Sequence, residues 1–291
     1  MIAKGQALFI FVFLVLFIPF LHAEDFFFDS AGVRIHYIVE GKGAPVLLIH
    51  GFGGSGQSMM NTIKGLSDSY RVIALDNRGH GQSEKPHDPG AYGMEMVKDS
   101  IRLLDHLKIG KAYVVGYSMG GRIACSLVGF YPKRLHAAVL GGVGWQSPDD
   151  PSLAAYRKEL AESLEQGKGV IPLIMRLNPI GAPPFTPEQI SMANKKFLSS
   201  GNDPLALAAA VRNSAPSPTE AQLRANKVPS LVLVGELDPV RSGVDRLSGL
   251  MPNLKVVVIQ KANHGTTPDK PEFMQNIRSF LLEHSASAPG K

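Results

Sequence analysis

YVVGYSMGGRIA occupies residues 113–124 and decides the fold. A short apolar run, Tyr113–Val115, leads into a serine between two glycines, and helical spacing follows at once. A Gly-x-Ser-x-Gly pattern between a strand and a helix predicts a tight turn that lifts Ser118 clear of the sheet. Side chains at 116 and 120 would collide with neighbouring backbone, so Gly116 and Gly120 are required there. We therefore predict that Ser118 is a nucleophile.

Short apolar runs recur along the chain and predict strands that are buried on both faces. Besides the run before Ser118, they are Val46–Ile49, Val72–Leu75, Ala137–Leu140, Leu231–Val234 and Val256–Ile259. Segments with helical spacing lie between them: Tyr92–Leu107, Gly120–Phe130, Val240–Met251 and Pro271–Leu282. Val33–Glu40 instead alternates apolar and polar residues, which indicates a half-exposed antiparallel strand at an edge. The alternation of strand and helix predicts an α/β fold with a mostly parallel, doubly wound sheet.

One interval, 145–227, contains no strand-like run but several helical patterns separated by prolines. We predict that it is a helical cap inserted into a core formed by 24–144 and 228–284. It would lie over the carboxyl edge of the sheet, where such folds bind ligands. Its apolar side chains either contact an apolar substrate or pack the cap against the body. They are Leu173, Ile174, Met175, Leu177, Ile180 and Phe185.

The two chain ends differ from the rest in composition. Lys4, an apolar stretch and Ala23 before Glu24 follow the order of a secretory signal peptide over residues 1–23. Its apolar part is shorter than the ~20 residues of a bilayer span. We expect an exported protein, periplasmic or secreted, with transient membrane association through residues 1–23. The alternative is a protein that stays anchored to the membrane by an uncleaved N-terminal segment. Residues 285–291 are small and polar and are predicted to be disordered.

Composition excludes several classes of partner. The chain of 291 residues is 44% hydrophobic and 19% charged, enough to bury a large core. Its net charge of +5 is spread without a Lys/Arg block, which argues against a nucleic-acid partner and leaves a small-molecule substrate. A single cysteine, Cys125, allows no intrachain disulfide and no cysteine-rich metal site. We predict no metal and no organic cofactor.

A second glycine-rich turn follows the strand Val46–Ile49 and reads His-Gly-Phe-Gly-Gly from His50. Backbone N–H groups approach a substrate oxygen closely only where side chains are absent. We assign the N–H groups of Phe52 and Met119 to an oxyanion hole. A phosphate cradle would need a following Lys with Ser or Thr, which this loop lacks.

A serine nucleophile needs a base, and the base needs a carboxylate that orients it. Of nine histidines, His264 follows the last strand-like run on a loop. Asp238 comes just after the run Leu231–Val234, and Glu236 is its nearest rival. The order Ser118, Asp238, His264 predicts a catalytic triad.

With these residues in place, the chain resembles the α/β-hydrolase superfamily from about Phe26 to Leu282, in its serine-nucleophile, capped, esterase- and lipase-like branch. The segment Asp76–Ser83 is similar to that family's loop after the fourth strand, which helps to hold the nucleophile turn. The resemblance implies an eight-stranded, mostly parallel sheet with helices on both faces and an inserted helical cap.

The same resemblance implies hydrolysis of a carboxylic ester, with an apolar acyl group or a small ester as substrate, through an acyl-enzyme on Ser118. Relatives that hydrolyse epoxides or haloalkanes use an aspartate at this position, so Ser118 argues against both. Hydrolysis of a carbon–carbon or amide bond remains an alternative, because the same triad serves it. A ligand receptor without turnover is the alternative from another class.

Overall fold

The computed structural model describes residues 24–147 and 149–285. The predicted signal peptide, 1–23, and all but the first residue of the predicted disordered tail, 285–291, lie outside the described residues. Within the described ranges no helix is long and apolar enough to cross a membrane.

A single mixed sheet forms the centre of the described chain. Its strands are β1 (Glu24–Asp29), β2 (Arg34–Glu40), β3 (Ala44–Ile49), β4 (Tyr70–Leu75), β5 (Ala112–Tyr117), β6 (Leu135–Gly141), β7 (Ser230–Gly235) and β8 (Leu254–Ile259). The eight strands lie in the order β1-β2-β4-β3-β5-β6-β7-β8. Strands β3 to β8 are parallel, whereas β2 runs antiparallel to both β1 and β4. The expectation of an eight-stranded, mostly parallel sheet is confirmed.

Helices cover both faces of the sheet. The helices of the core are α1 (Met60–Leu66), α2 (Met94–His106), α3 (Met119–Phe130), α9 (Arg241–Leu250) and α10 (Pro271–Glu283). One buried cluster joins α2, α3 and α9 to side chains such as Leu47 and Val114. The other joins α1 and α10 to the next residues along those strands, Leu48 and Val115. Because both faces are buried, the central strands are continuously apolar rather than alternating.

Strand β2 corrects the prediction of a half-exposed edge strand. Strand β1, which no predicted strand anticipated, pairs along its outer side, and Ile35, His36, Tyr37 and Ile38 are all buried. The alternation of apolar and polar residues is misleading here, because the polar residue His36 is buried as well. His36 is bonded to Asp76 and Asp25, each at 2.9 Å. The edges of the sheet are instead β1 and β8, and Val256 in β8 is exposed, although its apolar run predicted burial on both faces.

The described residues of the predicted cap interval form five helices between β6 and β7. They are α4 (Pro151–Glu165), α5 (Ile171–Arg176), α6 (Pro187–Leu198), α7 (Pro204–Arg212) and α8 (Glu220–Arg224). Leu160 and Leu164 of α4 pack against Leu207 of α7 in a small separate core. Ala209 and Ala210 of α7 belong to the main core instead. Helix α7 therefore attaches the cap to the body through its second face.

A buried ion pair ties the loop after β4 to α2. The Arg78 guanidinium donates to both Asp99 oxygens, from Nε at 2.7 Å and from Nη2 at 2.6 Å. The Ser30 hydroxyl donates a further hydrogen bond to Asp99. Both charged side chains are almost completely buried, so each depends on the other for compensation of its charge.

Asp99→Asn should lower the free energy of unfolding by about 3–5 kcal/mol, because the Arg78 charge would stay buried without its partner. Equilibrium urea denaturation measures this loss. The matched control is Glu165→Gln, since Glu165 also receives two hydrogen bonds from one arginine, Arg212, but on the surface. That change should cost less than about 1 kcal/mol. Equal losses in the two variants would show that burial does not set the cost.

Candidate active site

The turn between β5 and α3 is as tight as the glycine pattern predicts. Ser118 has φ +56° and ψ −113°, a backbone conformation rare for a residue with a side chain. A Cβ atom on Gly116 would lie 2.1 Å from the Gly120 carbonyl oxygen, and one on Gly120 would lie 2.0 Å from that of Ile49. Only hydrogen fits at either position.

Three side chains meet at the carboxyl edge of the sheet. Ser118 follows β5, Asp238 follows β7 and His264 follows β8, and parallel strands end at the same edge. His264 Nε2 lies 2.9 Å from the Ser118 Oγ, and His264 Nδ1 lies 2.8 Å from Asp238 Oδ2. We assign the ring proton to Nδ1, which donates to the carboxylate, so that Nε2 accepts from the serine hydroxyl.

The structure distinguishes Asp238 from its rival. Asp238 is fully buried, and its second oxygen accepts the Val240 N–H at 3.0 Å. Glu236 instead accepts the N–H of Lys261 at 2.9 Å. The carboxylate that contacts His264 is therefore that of Asp238.

The hydrogen-bonded line Ser118–His264–Asp238 has a defined chemical capacity. An imidazole that accepts from a hydroxyl can remove its proton as the oxygen attacks a carbonyl. A buried carboxylate on the other ring nitrogen holds the required tautomer and stabilises the imidazolium that forms.

Two backbone amides are free to bind a developing oxyanion. The N–H groups of Phe52 and Met119 have no hydrogen-bond partner among the described residues, and both residues line the cavity that contains Ser118. Gly51 lies against the serine, since a Cβ atom there would be 3.5 Å from the Ser118 Cβ. The two predicted oxyanion donors thus belong to loops that meet at the serine.

Neighbouring residues hold the loop after β3. His50 donates from Nδ1 to the Gly51 carbonyl at 2.7 Å and accepts the Asn77 N–H on Nε2 at 3.0 Å. Burial lowers the pKa of His50, which keeps the ring in the neutral form that this pattern requires. His50 thus has a structural role in the loop.

Asp76 anchors the same region from the end of β4. Its oxygens accept the Gly56 N–H at 2.6 Å and the Gln82 N–H at 2.7 Å. Burial opposes its charge, but these bonds and the one to His36 outweigh that effect and lower the pKa of Asp76.

Tyr117 is a supporting residue that the sequence reasoning missed. Its hydroxyl donates to the His264 carbonyl oxygen at 2.5 Å, and its ring lies against the His264 ring. Burial raises the pKa of Tyr117, so the hydroxyl keeps its proton. Its position inside the glycine pattern, next to Ser118, was the available signal.

A cavity of about 400 Å³ opens between the serine and the cap. This volume suits a small organic ligand. Leu153, Leu160, Leu173 and Leu177 of the cap line it, whereas Met175 and Ile180 are about half exposed to solvent. Arginines also line the cavity, and sequence reasoning did not single them out: Arg122, Arg157, Arg176 and Arg246. In the described part of the chain, no group of three or more His, Cys, Asp or Glu residues could hold a metal ion.

This architecture, with a serine on a strand-to-helix turn below a helical cap, defines an α/β-type hydrolase. The family model of the alpha/beta hydrolase fold matches residues 44–171. The solved structure of a thermophilic esterase from Thermogutta terrifontis, with malate bound, superimposes on this chain with a TM-score of 0.74. It is 29% identical in sequence, and the match covers 90% of this chain and 99% of the esterase. The chain belongs to the α/β-hydrolase superfamily.

Curated relatives differ in how much of their length the chain matches. A Bacillus subtilis (strain 168) protein named as a 2-succinyl-6-hydroxy-2,4-cyclohexadiene-1-carboxylate synthase is 29% identical over 87% of this chain and 96% of the relative. The acetyltransferase component of the acetoin cleaving system of Cupriavidus necator is 41% identical over 41% of this chain. That match spans 32% of the acetyltransferase's length.

Tyr117→Phe should slow reaction of Ser118 with a fluorophosphonate by roughly 3- to 10-fold, because the lost hydrogen bond is worth about 1 kcal/mol. The labelling rate measures the effect. Tyr131→Phe is the control, since Tyr131 follows α3 and does not line the cavity. An unchanged labelling rate in Tyr117→Phe would contradict a role for this hydroxyl in positioning His264.

Proposed function

We propose that this protein hydrolyses a carboxylic ester through an acyl-enzyme on Ser118. The observation that carries the proposal is the Ser118–His264–Asp238 line, with contacts of 2.9 and 2.8 Å, beside two amides that have no partner among the described residues. The similarity to the Thermogutta esterase over nearly its whole length supports ester cleavage as the reaction.

Each step of the proposed reaction uses the side chains and backbone amides of this site. Ser118 Oγ attacks the ester carbonyl while its proton passes to His264 Nε2, and the N–H groups of Phe52 and Met119 bind the oxyanion. Collapse of this intermediate breaks the bond to the alcohol, which leaves with the proton from His264. His264 then takes a proton from water, and the hydroxide attacks the acyl-enzyme. The second collapse releases the acid and returns the proton to Ser118.

The cavity wall favours a small ester. Cap leucines and Val143 provide apolar contact for a short acyl or alkyl chain. Hydrolysis of a carbon–carbon or amide bond would use the same three side chains. A diketone and an anilide, assayed beside a chromogenic short-chain ester, separate those reactions from ester cleavage.

Ser118→Ala should abolish turnover of a short-chain nitrophenyl ester and labelling by a fluorophosphonate. Asp238→Asn should lower kcat by up to about 10⁴-fold, since an amide at this position favours the wrong His264 tautomer. Ser199→Ala is the control, because Ser199 is an exposed serine at the end of α6. Turnover by Ser118→Ala at the wild-type rate would refute the proposed mechanism.

A further inference from the structure

Three of the four arginines that line the cavity beside Ser118 come from three different elements and interact electrostatically with one another. Arg122 lies one helical turn after the serine on α3, and its N–H bonds to the Ser118 carbonyl at 3.0 Å. Arg157 comes from α4 and Arg176 from the last turn of α5, so both belong to the cap. All three line the same cavity as His264.

Within the described part of the chain, these guanidinium groups have no carboxylate partner. Among the described residues, no Asp or Glu oxygen lies within 4.0 Å of a nitrogen of Arg122, Arg157 or Arg176, and no carboxylate lines the cavity. The contacts of Arg176 are a hydrogen bond of 3.4 Å to Gln146 and the Tyr156 ring, 4.4 Å from its Cζ. Neither contact neutralises charge.

Several other arginines of the described chain are paired with an acid. Arg78 is paired with Asp99 at 2.6 Å, Arg134 with Asp105 at 2.7 Å, and Arg212 with Glu165 at 2.6 Å. Arg122, Arg157 and Arg176 differ from these because each interacts with another arginine and has no acid partner among the described residues.

The like charges act on one another. Burial, and then the charge of Arg157, lower the pKa of Arg122 to about 10. Burial and the charge of Arg176 lower the pKa of Arg157 as well. Partly buried charges of one sign are costly unless a counter-charge is bound. An anion in the cavity would supply that counter-charge.

We propose that the cavity selects esters that carry a free carboxylate, bound by Arg122, Arg157 and Arg176. The inference rests on the proposed function and specifies its substrate class. Arginine matches a carboxylate with parallel hydrogen bonds, and Leu160 and Leu173 provide apolar wall for the chain between the carboxylate and the ester. The substrate is therefore a short amphiphilic ester rather than a purely apolar one.

Two matched ester pairs test the selection. Monoethyl adipate carries a carboxylate where ethyl hexanoate carries a methyl group, on the acyl side. Similarly, γ-acetoxybutyrate and butyl acetate differ on the alcohol side. Titration of released acid gives kcat/KM for each ester. For at least one pair, kcat/KM of the anionic ester should exceed that of the neutral one by about 10-fold or more. Equal or faster turnover of the neutral ester in both pairs would overturn the inference.

Variants that each remove one arginine charge test which residues recognise the carboxylate of the substrate. Arg122→Met, Arg157→Met and Arg176→Met should each raise KM for the preferred anionic ester by roughly 10- to 100-fold, a larger increase than for the matched neutral ester. Arg176 is exposed, so its variant tests the inference even where Arg122→Met does not fold. Arg224→Met is the control, since it removes the same charge from an exposed ion pair on α8. Equal losses for charged and neutral esters in the Arg176 variant would count against anion recognition.

A binding measurement with a ligand that is not hydrolysed distinguishes this inference from the proposed function. Calorimetric titration of the wild-type protein with adipate should show binding that its neutral counterpart, adipamide, does not show. No adipate binding by a protein whose Ser118 reacts with a fluorophosphonate would overturn the anion site alone. Adipate binding by a protein that neither labels nor hydrolyses any ester would support the anion site and refute the proposed hydrolysis.

Discussion

Two backbone contacts at the end of β5 leave room for nothing larger than hydrogen. A side chain at Gly116 would meet the Gly120 carbonyl, and one at Gly120 would meet the carbonyl of Ile49. This close packing forces Ser118 into its positive-φ conformation and presents the first N–H groups of α3 to the cavity. It also brings the end of β3 against the turn. The positions of the proposed nucleophile and of both proposed oxyanion donors therefore have one common cause.

The rest of the site depends on the direction of the strands. Because β5, β7 and β8 are parallel, the loops that carry Ser118, Asp238 and His264 leave the sheet at one edge. Tyr117 couples two of these loops, since it ends β5 and bonds to the backbone of His264. Position along the sheet brings the three side chains close, and hydrogen bonds from neighbouring loops then fix their orientation.

The features that the sequence predicted best are those whose physical cause lies within a few neighbouring residues. Paired glycines and continuous apolar runs act within a few residues, so the turn, the parallel strands and the order of strand and helix could be predicted. Strand β2 was placed wrongly because the pairing of His36 with Asp76 and Asp25 joins distant segments. The arginine cluster was missed for the same reason, since its members come from three helices. Arg122 alone had a local signal, its position one turn after Ser118.

The charge of the cavity bears on the chemistry as well as on binding. In the proposed mechanism, attack by Ser118 turns His264 into a cation that lines the same cavity as Arg122, Arg157 and Arg176. Like charges in a partly enclosed space repel more strongly than in water. Asp238, 2.8 Å away and buried, offsets this repulsion from the far side of the ring. A bound carboxylate would offset it from the near side, because it neutralises the guanidinium groups before the imidazolium forms. Recognition of an anionic ester would then also lower the electrostatic cost of the proton transfer.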